Sequence, residues 1–284
     1  MKNTIRVAVL DMYDGTPNQG MANIRTILSS FPTALAVEYF DVRGEAEVPD
    51  TSFDIYISTG GPGSPHDGDG LWDRKYYRLL QDIWDLNNQT EEKRRHVLFI
   101  CHSFQMACIH FRVGEVIPRR SMSFGIFPTH KTDSGKKEPL FDSLPDPFYV
   151  ADFRKWQVVQ PDLARLEELG AEILALEKIR SHVPLERAVM AVRFSEEFIG
   201  VQFHPEADPK GMLAHFTDED RMEEVVREHG REKYDKMIDC LMDPARLSLT
   251  YKTVIPYFLK KAVSAFSSPN VPVSETVSPE GSPE

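Results

Sequence analysis

Cysteine is scarce in this chain: Cys101, Cys108 and Cys240 are the only three in 284 residues. That excludes a disulfide-stapled scaffold, which needs several pairs in a short chain. No apolar run approaches the ~20 residues that a membrane helix requires, so no membrane partner is expected. The start, Met1-Lys2-Asn3-Thr4, lacks a charged segment followed by an apolar stretch and a cleavage site. No secretory leader is therefore expected, and the expected location is a reducing cytoplasm. Basic residues are outnumbered, 33 against 44 acidic, for a formal charge of −11. A general nucleic-acid binder is excluded, because phosphate attraction dominates non-specific binding. Nine histidines are present, but HExxH, CxxC and HxH spacings are missing, so no metal is expected. His66, His130 and His182 read as solvated loop residues. The turn Gly60-Gly61-Pro62-Gly63 lacks the GK[ST] ending of a phosphate loop, and no cofactor is expected. No internal repeat is visible.

What is there is ordinary globular material, 41% hydrophobic and 27% charged, long enough to bury a sizeable core. Apolar runs at Ile5 to Leu10, Ala36 to Val42, Phe53 to Thr59 and Val97 to Cys101 suit buried strands. Between them, Asn18 to Ser30, Leu71 to Leu86 and Phe104 to Phe111 show helical spacing. Trp72, Tyr76 and Trp84 of the second helix read as core. The alternation predicts an α/β fold with a mostly parallel sheet flanked by helices. From Ser121 to Phe203 the texture changes to short strands, including Ala171 to Glu177, Ala188 to Phe194 and Ile199 to Phe203. Added antiparallel structure on the same sheet is expected there. Residues 1–207 form the expected main domain, 208–266 a helical C-terminal extension, and 267–284, rich in Ser, Pro and Glu, a disordered tail.

Cys101 closes a strand just before a helix. A nucleophile on such a turn is held exposed, with backbone N–H groups aimed at the attacked carbonyl and the helix dipole favouring thiolate. His204 and Glu206 end the strand in GVQFHPE, and residues i and i+2 of an extended segment share a face. Glu206 is thus placed to orient His204 while the other ring nitrogen serves Cys101. Gly60 and Gly61, at another strand's C-terminal end, let the backbone approach a ligand and offer oxyanion-binding N–H groups.

Together, STGGPGSP (Ser58 to Pro65), ICHSFQ (Ile100 to Gln105) and GVQFHPE (Gly200 to Glu206) resemble the class I, triad-type glutamine amidotransferase family, of the GMP synthase glutaminase kind, over roughly residues 5 to 207. The resemblance implies a flavodoxin-like domain. It implies Cys101 as nucleophile on the γ-carboxamide of glutamine, backbone N–H groups of Gly61 and His102 as oxyanion hole, His204 as acid and base, and Glu206 as its orienter. Gln105 matches a position that helps hold the substrate amino acid, and Gly60 is a further candidate substrate-binding residue. The implied product is ammonia, for a synthase on a separate chain; in the other family outcome the protein is a stand-alone hydrolase whose terminal helices cap the site or make a homodimer.

Three departures from the family pattern stand out. Phe99 and Ser103 occupy positions two before and two after the cysteine where glycine is usual. Phe99 is expected to pack. Ser103 adds a Cβ at a crowded elbow, at a cost of about 1–3 kcal/mol if its backbone takes a glycine-like conformation. In Arg154-Lys155-Trp156-Gln157-Val158, Trp156 and Gln157 replace the usual Ser-His or His-x-Asp substrate-recognition segment. Trp156 is a candidate pocket wall, and a γ-glutamyl peptide becomes an alternative substrate. A catalytically weak binding or regulatory module is the alternative of another class. Cys108 and Cys240 read as structural. Arg119-Arg120, Lys131 to Lys137 and Glu91-Glu92-Lys93-Arg94-Arg95 read as solvated charge.

Overall fold

The computed structural model describes residues 4–90, 93–179 and 186–267. His182, Glu91, Glu92 and the tail from residue 268 lie outside the described residues. One nine-stranded sheet, in the order β2-β1-β3-β4-β9-β8-β6-β5-β7, organises the rest. Strands β1 (Ile5–Asp11), β2 (Leu35–Asp41), β3 (Ile55–Ser58), β4 (His96–Ile100) and β9 (Phe198–Val201) run parallel. The other pairings, among β5 (Glu115–Lys131), β6 (Phe148–Val159), β7 (Glu172–Glu177), β8 (Val189–Arg193) and β9, are antiparallel. The expectation of a mostly parallel sheet is thereby corrected. The sheet is mixed, because two long strands, β5 and β6, pair along most of their length beyond the parallel half.

The parallel strands are covered on both faces, and their side chains alternate accordingly. In β1, Val7 and Val9 enter one core with Met21, Ile24, Ile27 and Leu28 of helix α1 (Gln19–Ser29). Ala8 and Leu10 enter the opposite core with Tyr76, Leu80 and Ile83 of α2 (Trp72–Gln89) and Phe104 of α3 (His102–Phe111). Asn18 starts α1 by accepting a bond from the Met21 N–H at 2.8 Å, the usual role of a short polar side chain at that position. A short helix, α4 (Leu163–Leu169), follows β6.

Residues 208–266 fold as α5 (Pro209–Thr217), α6 (Glu219–His229), α7 (Arg231–Met242) and α8 (Leu247–Ser267). Val254, Ile255, Phe258 and Leu259 of α8 lie in the same core as α1. Met212, Phe216, Val225, Tyr234 and Met237 of α5–α7 make a third core against Ile126 of β5 and Ala151 of β6. These three helices therefore stand over the antiparallel half, beside the strand ends where the cysteine lies.

Two charge expectations are corrected. The Arg119 side chain is buried, donating to Glu177 at 2.9 Å and to Gln157 at 2.8 Å. Lys131 donates to the carbonyls of Phe141 and Leu144 at 2.7 and 2.6 Å. His66 is exposed and its Nε2 lies 2.8 Å from the Val116 carbonyl; His130 is half-buried, 3.8 Å from Asp146. Among the described residues no helix is long and apolar enough to cross a membrane.

Candidate active site

Neighbouring strands bring the sequence-distant candidates together. β4 and β9 pair in parallel with Ile100 opposite Val201, and the Cys101 N–H donates to the Val201 carbonyl at 2.8 Å. His204 follows three residues later, its N–H bonded to the Ala151 carbonyl of β6 at 3.0 Å. The imidazole Nδ1 lies 2.8 Å from Glu206 Oε1, and the ring and the Cys101 thiol line the same cavity. Burial acts to lower the His204 pKa. The Glu206 carboxylate and the sulfur outweigh it and hold the imidazole well above its ordinary range. Glu206 is 1% exposed, so its charge acts where water screens little.

Cys101 itself takes φ +49°, ψ −98° between β4 and α3. A β-carbon-bearing residue in that region stores about 1–3 kcal/mol of backbone strain. Ser103, expected to be the strained residue, is instead an ordinary helical residue of α3. Its hydroxyl accepts from the Ile100 N–H at 2.9 Å and donates to the Ser58 carbonyl at 2.6 Å, clamping the elbow to β3. That correction has a plain cause: the side chain points into a polar niche between strand ends. Phe99 packs against Phe194 and Phe198.

No side chain caps α3, so its first N–H groups, beginning with His102, face the elbow. The His102 side chain is buried and stays neutral, pushed down to about 3 by burial and by Arg43. Gly61 approaches β1 so closely that a Cβ would stand 2.2 Å from the Met12 carbonyl. Arg43 braces this loop, donating to the carbonyls of Met12 and Pro62 at 3.2 and 2.6 Å. At Gly60 a Cβ would stand 2.8 Å from His204 Cε1, so only glycine leaves room for the ring.

Cys101, Gly61, His204 and Glu206 open into one cavity of about 820 Å³. Its outer wall comes from Phe124 of β5, Phe153 of β6, Met212 and Phe216 of α5 and Val225 of α6. Gln105, Trp156 and Gln157, expected to hold substrate, do not line it. The Gln105 amide donates to Gln202 Oε1 at 3.1 Å and to the Trp156 carbonyl at 3.3 Å. The Trp156 ring meets His66 edge-on, and Gln157 accepts from Arg119. All three side chains are engaged by protein groups.

Sequence reasoning missed Gln202 and Tyr13. Gln202 is fully buried, with Nε2 3.8 Å from Cys101 Sγ. The β4–β9 register was its signal, since it sits opposite the nucleophile. Tyr13 lines the cavity, and its hydroxyl would stand 2.6 Å from a Cβ at Gly20 and 3.2 Å from one at Gly60. Burial, then Glu206 and Cys101, push its phenol well above the ordinary range and keep it neutral. Cys108 is buried, its thiol pushed up by burial; Cys240 is buried and accepts from Arg246 at 2.7 Å.

The family profile described as glutamine amidotransferase class-I matches residues 8–221. The chain belongs to this family. The amidotransferase profile thus runs past the main domain expected from sequence and ends in α6. A crystal structure of a Thermotoga maritima glutamine amidotransferase is similar at TM-score 0.65 and 14% identity, covering 92% of this chain and 99% of that one. A glutamine amido transferase from Methylobacillus flagellatus is similar at TM-score 0.57 and 15% identity, covering 92% of this chain and 96% of that one. The glutaminase domain of Trypanosoma brucei CTPS with bound acivicin is similar at TM-score 0.57 and 16% identity, covering 92% of this chain and 94% of that one. At these identities the likeness concerns the fold. No curated protein matches. Within the amidotransferase fold, a thiol, an imidazole and a carboxylate in sequence are suited to nucleophilic attack on an acyl carbon.

Proposed function

We propose that this amidotransferase-family protein hydrolyses the γ-carboxamide of glutamine through a thioester on Cys101. The reading rests on His204, with Nδ1 2.8 Å from Glu206, lining one cavity with the Cys101 thiol. His204 takes the thiol proton as Sγ attacks the amide carbon. The tetrahedral oxyanion is received by the backbone N–H groups of Gly61 and His102, in a water-poor site where fixed donors act strongly. The C–N bond then breaks as His204 gives its proton to the nitrogen, and ammonia leaves. Water, deprotonated by His204, attacks the thioester and releases glutamate and the free thiol.

Family membership and the buried, polarised imidazole support this reading over a binding module. Gln202 and Gln105 position the sulfur from behind. The ammonia is available to a synthase on a separate chain, and the setting is cytoplasmic. The test is stoichiometric: the protein incubated with glutamine releases equal ammonia and glutamate, and Cys101→Ala falls to background. Wild type and Cys101→Ala giving the same background signal would overturn the reading and favour a binding role.

A further inference from the structure

The cavity is built for more than glutamine. Its volume of about 820 Å³ lies in the range that drug-sized ligands occupy, roughly 300–1,000 Å³. Its position relative to His204 says which half of a substrate would use the space. Whatever leaves from the thioester-forming step must have its nitrogen within hydrogen-bonding reach of His204, because that imidazole supplies the proton. Groups beyond His204 therefore face the substituent on that nitrogen.

Those groups are aromatic. The Phe153 ring lies 6.3 Å from the His204 ring, centroid to centroid. Phe124 meets Phe153 at 5.1 Å and Phe216 at 5.9 Å, and Phe153 stacks on Phe216 at 6.4 Å. Met212 and Val225, both buried, close the wall. Ammonia has no substituent to touch this surface. The carboxylate of an amino-acid amine would lose its hydration against phenyl rings. It would also approach Glu206, and Glu224 and Glu228 on α6. Arg221, the one Arg or Lys among the described lining residues, is already paired with Glu224 at 2.6 Å, and the His229 imidazole stacked on Phe124 at 4.1 Å has its pKa lowered by burial and Lys233.

We infer that the preferred substrate is an N-substituted γ-glutamyl amide whose amine half is apolar and aryl-bearing, seated against Phe124, Phe153 and Phe216. The inference rests on the glutamine-hydrolase reading and deepens it. The chemistry is unchanged: Sγ bonds to the acyl carbon, the C–N bond breaks, the proton from His204 goes to the arylalkylamine, and water returns glutamate.

The test compares three compounds by kcat/KM: glutamine, γ-glutamylglycine and γ-glutamylbenzylamide. Benzylamine and glycine are leaving amines of similar basicity, so their difference reads contacts. The benzylamide is expected to exceed γ-glutamylglycine at least tenfold and to exceed glutamine. In Phe216→Asp, which places a charge in the wall, and in Val225→Trp, which fills it while staying apolar, the benzylamide-to-glutamine ratio is expected to fall at least tenfold. Thermal melts check that both variants are folded, and the wild-type panel stands even if one is not. Glutamine cleaved with no advantage for the benzylamide would overturn this inference alone. No compound cleaved would overturn the glutamine-hydrolase reading and this inference with it.

Discussion

The two halves of the sheet differ in kind. The parallel half places Cys101, Gly61 and His204 at the C-terminal ends of neighbouring strands, where open α/β sheets leave a crevice. Each position is fixed by backbone hydrogen bonds and close glycine contacts. The antiparallel half contributes Phe124 and Phe153, and with α5 and α6 it roofs the same crevice with side chains. On the proposed reading, bond breaking depends on backbone geometry and the choice of leaving amine on packing. Changes in the first half should act on rate, and changes in the second on stability or substrate preference.

The largest expected effect sharpens the catalytic side. Glu206→Gln removes the charge that holds the His204 pKa up, and should lower kcat by about 10³- to 10⁴-fold. The His204 pKa, followed by NMR titration, should fall in the same variant; an unchanged pKa would break the assignment of Glu206 as its partner. On the antiparallel side, Arg154 is buried between Asp152 at 2.8 Å and Glu177 at 3.6 Å. Arg154→Met should cost ~3–5 kcal/mol in denaturant unfolding, because both carboxylates lose a buried partner. Loss of hydrolysis with unchanged stability would blur the division between the halves.

Smaller still is the elbow clamp. Ser103→Gly restores the residue usual at that position in the family, yet it strips the Ile100 N–H of its acceptor. A loss of ~1–3 kcal/mol is expected, measurable as a lowered melting temperature. A gain would mean that Ser103 strains the turn after all. The buried histidines set the pH dependence. Burial, then Lys261, lowers the His96 pKa to about 4. The unfolded chain takes up that proton below about 6.5, so stability should decline as pH falls from 6.5 towards 4. His96→Leu should flatten part of that decline, and His102 should retain some of it. His204 acts oppositely: with its folded pKa raised, its contribution is present below 6.5 and is lost as pH rises through the folded value.

The same division governs what was legible in the sequence. Strands β1, β3 and β4 are apolar runs because parallel strands are buried on both faces, and α1 and α2 carry clear stripes. The Cys101, His204 and Glu206 constellation was readable because each sits in a short motif at a strand end. β5 was not legible as a 17-residue strand, since Pro118, Arg119, Arg120 and Pro128 interrupt its pattern. Arg119 read as solvated because its partner, Glu177, is 58 residues away. The aromatic wall left no signature at all, for Phe124, Phe153 and Phe216 come from three elements with no common spacing. Local pattern reports backbone burial; it does not report which distant side chains share a cavity.

Covalent labelling decides whether Cys101 is the activated thiol. The full chain would be treated with a chloroketone analogue of glutamine and mapped by peptide mass spectrometry. The expected result is one label, on Cys101, blocked by excess glutamine and absent from Cys101→Ala. A label confined to Cys108 or Cys240, or one that glutamine does not protect against, would contradict it.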